Sequence, residues 1–413
     1  MADGPSLWSR DFSLFFVART ISMLGYGMLP VATALGVQRD YGPTGVGLAL
    51  AAGMAPMVAL ILFGGVFGDR FTPRRMMVGA DVVRTLSQGA LAVLFLTGRP
   101  ALWEIAALAA VSGAATAMYL PGVASTVPRV ARDVQRGNAA LRVSESMMQL
   151  VGPGLAGVLV AVAGVGVVFA VEAAGFALSA LCLVLMRVRF DREAVEKTSV
   201  LRDLREGWTE FRSRTWMWSV ILVWVVFAIT LFGPTIPLVT SLVTAAHGEP
   251  AVGLVMSSMG AGTIVGGLIA MRVRPARPLR AGATAMFAFA LQPLTLALGA
   301  PLPVIMAGFV MAGVGWAFWS VMWATSVQTH VEPAVLNRVS AYELGGSMVA
   351  MPFGQMIAGP AAGLIGAETV MAVSAGVAVA GMSTLLIVPA VRRLERRDRR
   401  VEALSSVSPQ PST

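Results

Sequence analysis

The sequence predicts an all-α membrane protein with twelve transmembrane helices, arranged as two pseudo-symmetric six-helix bundles. Apolar residues make up 56% of its 413 residues and charged residues only 13%, against roughly a quarter charged in a soluble domain. The mean hydropathy is +0.75. Long stretches carry no charge, and about 20 apolar residues in a helix are enough to cross the hydrocarbon of a bilayer. Each stretch must be helical, because lipid offers no partner to a free backbone amide.

Twelve apolar stretches of this length follow one another along the chain, and the single long connection between them lies in the middle. We therefore expect an amino-terminal bundle over 1–190, a cytoplasmic linker over 191–216, a carboxyl-terminal bundle over 217–392 and a disordered cytoplasmic tail over 393–413. The predicted spans, numbered in chain order, are 13–36, 44–67, 76–97, 102–125, 140–162, 165–186, 217–240, 251–271, 280–299, 302–326, 340–364 and 367–390.

The arginines lie mostly on one side of the predicted membrane. With the amino terminus placed in the cytoplasm, thirteen arginines of the short connecting segments lie on the cytoplasmic side, and only Arg39 and Arg99 lie on the other. Short cytoplasmic loops carry such an excess of basic residues. We therefore expect both termini in the cytoplasm and the chain in the cell membrane. The net charge of +9 comes from these scattered arginines and does not indicate nucleic-acid binding.

Short sequences recur between the two halves. Val-Gly-Leu opens the second span at Val46 and the eighth at Val252. Arg-Val-Ser marks the entry to the fifth span at Arg142 and to the eleventh at Arg338. Internal repeats of this kind are typical of secondary transporters.

The loop between the second and third spans carries Gly-Val-Phe-Gly-Asp-Arg-Phe-Thr-Pro-Arg-Arg over 65–75. A glycine allows a neighbouring helix to approach closely, and an aspartate at a helix junction can accept hydrogen bonds from a helix N-terminus and pair with arginine. Such a contact can hold one face shut in one conformation and release it in another. An ordinary basic turn would explain the arginines but not the aspartate and the glycine. The gating candidates are Gly65, Asp69, Arg70, Arg74 and Asp81.

This loop resembles the cytoplasmic loop signature of the major facilitator superfamily, Gly-x-x-x-Asp-Arg-x-Gly-Arg-Arg/Lys. Thr72 stands at the second small residue, and Pro73 replaces the first arginine of the closing pair. The resemblance implies a transporter that rocks its two halves about a central site. It also implies that the first, fourth, seventh and tenth helices line the cavity, with the second, fifth, eighth and eleventh close behind.

The fifth span contains Val-Gly-Pro-Gly-Leu-Ala-Gly over 151–157. Proline kinks a helix, and glycines allow tight packing. This segment is similar to the Gly-Pro motif of the superfamily's exporters, through Gly152, Pro153 and Gly157. The superfamily's twelve-helix drug and siderophore branch is resembled at Phe176, at the run over 203–207 and at Gln328. Any tightly packed helix can carry Gly-Pro, so this motif favours export without requiring it.

Charged residues within the predicted spans are functional candidates, because they are costly in lipid. Arg19 in the first span is a candidate cavity cation or carboxylate partner, and Asp81 is spaced to pair locally with Arg84. Proton coupling needs a carboxyl group that gains and loses a proton as its surroundings change. The coupling candidates are Glu145, Glu343 and Glu172. The resemblance places Glu145 and Glu343 nearer the cavity than Glu172, although all three can instead be members of structural ion pairs.

Trp316, Trp319 and Trp323 lie three and four residues apart, so they share one face of the tenth span. Turned inward, Trp316 and Trp319 would form an aromatic wall for a flat or cationic apolar substrate. Ordinary packing, or for Trp323 the interfacial aromatic belt, is the alternative.

The sequence shows no metal-ligand cluster, no phosphate-binding glycine loop and no serine nucleophile motif, so we expect no cofactor, no metal and no enzymatic activity. The favoured function is export of a small, largely apolar compound, such as a drug, siderophore or secondary metabolite, by proton antiport. The expected partners are that substrate, protons and the lipid bilayer, with the protein acting as a monomer. An importer or lipid flippase of the same fold, or a non-transporting membrane receptor or scaffold, are the alternatives.

Overall fold

The structure is a computed structural model that describes residues 8–61, 72–131, 133–188, 208–332 and 346–396. All regular secondary structure within these ranges is helical, as the sequence predicts. In chain order the α-helices are α1 (Arg10–Ile61), α2 (Pro73–Thr97), α3 (Leu102–Val130), α4 (Val134–Ala163), α5 (Val165–Leu185), α6 (Thr215–Phe227), α7 (Gly233–His247), α8 (Glu249–Arg272), α9 (Pro278–Ala285), α10 (Leu291–Ala297), α11 (Leu302–His330), α12 (Met351–Ile365), α13 (Ala367–Ile387) and α14 (Pro389–Arg392).

Among the described residues, ten helical segments are long and apolar enough to cross a membrane. The first of them, Arg10–Leu60, contains a sharp kink at Gly42, where φ is +59°. It holds the first predicted span and the described part of the second. The predicted ninth span consists of three short pieces: α9, a 3₁₀ segment over Met286–Ala290, and α10. Because it is divided in this way, it is not one of the ten. These two segments account for the difference from twelve, and the count of twelve stays a prediction.

Two helices differ from the continuous, hydrocarbon-length segments that hydropathy predicts. The seventh predicted span is divided into α6 and α7 by a π-helical turn over Ala228–Phe232, and Pro234 follows at the start of α7. A proline lacks the N–H that would continue the preceding helical hydrogen bonds, so the register changes there. Helix α4 begins six residues before the predicted fifth span, because Asp133 caps it by accepting a hydrogen bond from the N–H of Arg136.

The helices form two packed groups that meet through a few pairs. In the first half α2 packs against α3 and α5, and α1 packs against α3, α4 and α5. In the second half α8 packs against α11, and α10 packs against α13. Between the halves, α4 packs against α8, while α1 packs against α12 and α7.

Among the described residues, the main apolar cluster that combines both halves lies at one face. We call the end where α1 begins the terminal face, and the end where α3 and α11 begin the opposite face. At the opposite face one cluster combines residues of both halves, including Val37, Ile105, Val239 and Phe309. Nearer the terminal face, two of the described clusters are separate, one from α1–α5 and another from the second half. A small first-half cluster around Met57 contacts the second half through Met348. The halves are therefore joined at the opposite face.

Glycines allow the backbones to touch where the halves meet. A Cβ atom added to Gly157 of α4 would lie 2.9 Å from the Cα of Gly253 of α8. On the other side of the interface, a Cβ atom on Gly47 of α1 would collide with the carbonyl oxygen of Gln355 of α12. No larger side chain fits between these backbones, so both crossings depend on glycine.

Candidate functional site

A cavity lined by aromatic rings lies in the second half and has a volume of about 540 Å³. Helices α6, α7, α8 and α11 contribute to its walls, together with the start of α12. Trp224 stacks on Trp319 with ring centroids 4.9 Å apart, and the ring of Phe232 meets Trp316 edge-on at 5.5 Å. These rings form a continuous aromatic surface on one side of the cavity.

A second cavity of about 290 Å³ lies in the first half, among α1, α2 and α3. Ile236, Met348 and Met351 from the second half line both cavities. The two cavities are therefore adjacent, and they form one candidate site that extends across the interface between the halves.

The lining of this candidate site is neutral. Among the described residues, no Asp, Glu, Lys or Arg lines either cavity. The polar lining groups include the amides of Gln88, Gln292 and Gln355, and the Oε1 atom of each is buried with no hydrogen-bond partner among the described residues. A buried amide oxygen without a partner costs free energy, and a ligand donor could supply the missing hydrogen bond. Flexible thioether side chains complete the walls: Met54, Met57, Met256, Met259, Met348 and Met351.

Trp316, Trp319 and Trp323, the three tryptophans that share one face in the sequence, all line the larger cavity. Trp319 is almost fully buried against Trp224 and Trp323, whereas Trp316 is only partly buried. The tryptophans therefore combine core packing with a cavity surface, and their part in substrate binding stays a prediction.

An ion pair between α1 and α4 joins two of the predicted residues. The Nε and Nη2 atoms of Arg19 donate to Oε1 of Glu145 at 3.1 and 2.8 Å. The other oxygen of Glu145 accepts a hydrogen bond from exposed Arg142 at 3.3 Å. The side chains of Arg19 and Glu145 are 9% and 15% exposed. Arg19 is thus a carboxylate partner here, and it lines neither of the two cavities.

A second buried polar group connects four helices behind this pair. Asp81 and Arg84 of α2 form the local ion pair expected from their spacing, and Asp81 also accepts a 2.6 Å hydrogen bond from Ser179 of α5. The Arg84 guanidinium lies 4.4 Å from the ring centroids of both Tyr119 and Phe176. Arg19 lies 5.9 Å from the same Tyr119 ring, so one aromatic ring separates the two buried arginines.

Glu172 lies apart from these networks. Its side chain on α5 is buried, and neither carboxylate oxygen has a hydrogen-bond partner among the described residues. Phe169, one turn earlier, stacks on Phe95 of α2, and Phe176, one turn later, packs against Gly25 of α1. Glu172 lines neither cavity, and its role as a coupling site stays untested.

Most of the loop signature, namely Gly65, Asp69 and Arg70, lies outside the described residues, and so does the candidate Glu343. Arg74 is described, near the start of α2. Its Nε atom donates to the carbonyl oxygen of Leu183 at 2.9 Å, and its Nη2 atom donates to that of Val184. Arg74 therefore satisfies carbonyl groups at the end of α5, a contact within the first half.

The Gly-Pro motif of the fifth span lies at two close crossings. Gly152 faces Gly27 of α1, where an added Cβ atom would lie 3.0 Å from the Gly27 backbone. One turn later, the carbonyl oxygen of Pro153 and the Cα of Gly157 face Gly253 of α8. The motif thus lies where α4 packs against α1 of its own half and against α8 of the other half.

The three glutamines were missed by the sequence analysis, as was the central position of Tyr119. Glutamines within apolar spans are uncommon enough to be a usable signal, since polar groups in lipid are costly. Among the polar residues of the spans, only the charged ones were candidates, and the order of residues alone does not show that these amides face cavities.

Comparison with known proteins agrees with this architecture. The profile of the Major Facilitator Superfamily matches residues 15–343. The chain is 26% identical over 402 residues to the multidrug efflux pump Tap of Mycobacterium tuberculosis, covering 92% of the chain and 94% of Tap. It is 20% identical over 275 residues to macrolide efflux protein A of Streptococcus pyogenes, covering 63% of the chain and 66% of that protein. It is 26% identical over 206 residues to the uncharacterized MFS-type transporter YfiS of Bacillus subtilis, covering 48% of each. The chain thus spans about half to two thirds of the length of the last two relatives.

Solved structures support the same fold. A POT family transporter in complex with 5-aminolevulinic acid superposes with a TM-score of 0.74 at 11% sequence identity, covering 92% of the chain and 96% of that protein. This likeness shows the helical arrangement alone. With the family profile matching most of its length, the chain belongs to the Major Facilitator Superfamily and is a multi-pass membrane protein.

Proposed function

We propose that the protein exports a small, largely apolar compound by alternating access, driven by a proton gradient. The observation that carries this proposal is the neutral site of aromatic rings, methionines and three amide oxygens that have no hydrogen-bond partner among the described residues. Such walls suit a bulky apolar molecule with a few hydrogen-bond donors, and flexible methionines allow different shapes to be bound. The efflux functions named for Tap and macrolide efflux protein A agree with this direction.

The proposed orientation is that of the positive-inside rule, with both termini in the cytoplasm. The halves are joined at the opposite face, which would then be the outer face. The site would be ready to accept a compound from the cytoplasm or the inner leaflet. This conformation is the one in which an exporter loads its substrate.

For coupling we propose the Arg19–Glu145 pair. Protonation of Glu145 would leave the guanidinium of Arg19 buried without its closest counter-charge, and breaking a buried pair in this way costs about 3–5 kcal/mol. A change of this size can shift the balance between two conformations. Glu343 and Glu172 are the other candidates, and a purely structural ion pair is the alternative reading of Glu145.

The test uses everted membrane vesicles that contain the full chain, with ethidium and a radiolabelled macrolide as probes. We expect both probes to accumulate when the vesicle interior is acidified, and a protonophore to abolish the accumulation. Transport only in right-side-out vesicles would instead indicate an importer, and movement of a fluorescent phospholipid alone would indicate a flippase. If no probe moves in either vesicle type while the protein is folded and inserted, the export proposal is wrong and a receptor or scaffold becomes the better reading.

A further inference from the structure

A separate groove lies on the outside of the second half, at the terminal face. Its volume is about 780 Å³, and it is formed by the end of α8, the start of α9 and the middle of α11. Apolar side chains line its depth, among them Ile269, Val314 and Phe318. It shares no lining residue with the two cavities between the halves.

The mouth of this groove is strongly basic. Arg277 and Arg280 line it, and both side chains are exposed. The two segments that meet there, 272–280 and 389–396, hold seven exposed arginines and a single acidic residue, Glu395. The segments are joined by a 2.8 Å hydrogen bond from the N–H of Arg396 to the carbonyl oxygen of Ala276. The positive charge is therefore held in one place.

The basic and apolar parts are arranged by depth. Arg280 lies on the first turn of α9, while Ala285, five residues further along the helix, lines the apolar part about 7 Å deeper. A bilayer has the same order, with phosphate groups above acyl chains. Basic pockets beside transmembrane helices are suited to anionic lipid headgroups.

An anionic group already occupies the mouth. Glu395 lies 3.7 Å from the Nη2 atom of Arg277, but the side chains of Arg277 and Glu395 are 43% and 75% exposed, so this ion pair contributes little. A phosphate group could displace the carboxylate, because it offers more acceptor oxygens to the two arginines.

We propose that this groove binds an anionic phospholipid, with its phosphate between Arg277 and Arg280 and one acyl chain against Phe318. The charge of the mouth and the apolar depth together select a lipid over a soluble anion. The site is independent of the transported substrate, and it does not depend on the direction of transport.

The test is native mass spectrometry of the purified full-length chain with phosphatidylglycerol and with phosphatidylcholine of the same acyl chains. We expect the wild-type protein to retain phosphatidylglycerol preferentially. Each arginine near an anionic headgroup contributes about a fivefold preference, so Arg277→Gln/Arg280→Gln should weaken phosphatidylglycerol binding roughly thirtyfold. The matched control, Arg392→Gln/Arg393→Gln, removes the same charge from the same face at two described residues that do not line the groove, and it should weaken the binding less than the first double variant.

Two further variants separate a built site from general attraction to a basic face. Glu395→Gln removes the competing carboxylate and should strengthen phosphatidylglycerol binding, a gain that misfolding would not produce. Thr284→Trp fills the groove at an exposed position, and it should weaken binding although every arginine remains. Equal retention of both lipids, equal loss in the two double variants, or displacement of the lipid by inorganic phosphate would each overturn the proposal.

Discussion

The contact between α4 and α8 should control how long the halves stay joined at the opposite face. A Cβ atom on Gly253 would lie 2.7 Å from the carbonyl oxygen of Pro153 and 3.0 Å from the Cα of Gly157. Comfortable carbon contacts are about 3.5–4.0 Å, so Gly253→Ala must push the helices apart by roughly half an ångström or more. The two atoms that it meets are backbone atoms, which cannot rotate away.

The expected magnitude follows from the cost of overpacking. Inserting a methyl group into a close contact typically costs about 1–3 kcal/mol, and about 1.4 kcal/mol is a tenfold change in an equilibrium constant. The joined conformation contains this contact, whereas a conformation open at the opposite face need not. Gly253→Ala should therefore lower the ratio of joined to open molecules about 5- to 150-fold.

The assay is the rate at which a maleimide labels Val46→Cys in a Cys182→Ala background, with the protein in lipid nanodiscs. Val46 is fully buried in the core shared by the halves, so labelling requires that this core opens. The matched control is Gly267→Ala, on the same helix, where an added Cβ atom meets nothing within 4 Å. Helix propensity rises equally in both variants. If Gly253→Ala labels no faster than Gly267→Ala, the crossing does not hold the halves together and the reasoning is wrong.

Three further predictions concern transport in the everted-vesicle assay. Glu145→Gln should abolish the response to the proton gradient, whereas Glu249→Gln, which removes a more exposed ion pair at the opposite face, should not; a retained response would exclude Glu145 as the coupling site. Trp319→Ala should raise the KM for ethidium about tenfold or more, because an aromatic wall of the cavity is lost, while Trp103→Ala, at a residue that is 70% exposed, should leave the KM unchanged. Equal effects of the two substitutions would show that Trp319 does not bind ethidium. Asp69→Asn should abolish transport at near-normal expression, and full activity in that variant would contradict its gating role.

The spacing of residues along the sequence predicted contacts and faces within a single helix. Asp81 and Arg84, three residues apart, form their ion pair, and Trp316 and Trp319 lie on one face as their spacing requires. Hydropathy likewise located the helices, because the need to satisfy backbone amides in lipid leaves little freedom.

Contacts between helices that are far apart in the chain could not be predicted from the sequence. Arg19 and Glu145 are 126 residues apart, and several carboxylates were equally available to the arginine on paper. The choice depends on how α1 packs against α4, and that packing depends on Gly27 and Gly152 meeting at the same crossing. The interruption of the ninth span by a 3₁₀ segment was missed for a related reason, since apolar content alone does not report the hydrogen-bond register.

The glutamines show how the repeat and the site fit together. Gln88 of α2 and Gln292 of α10 are 204 residues apart. The offset of the internal repeat is similar: 206 residues separate the two Val-Gly-Leu sequences, and 196 separate the two Arg-Val-Ser sequences. The two glutamines thus occupy nearly equivalent places in the two halves, and each presents an unpartnered amide oxygen in a cavity of its own half. The described lining of the first-half cavity holds one aromatic ring, that of Tyr26, so the aromatic wall belongs to the second half. A duplicated polar anchor and a single aromatic surface fit an elongated substrate that hydrogen-bonds to both halves and rests its apolar body on one.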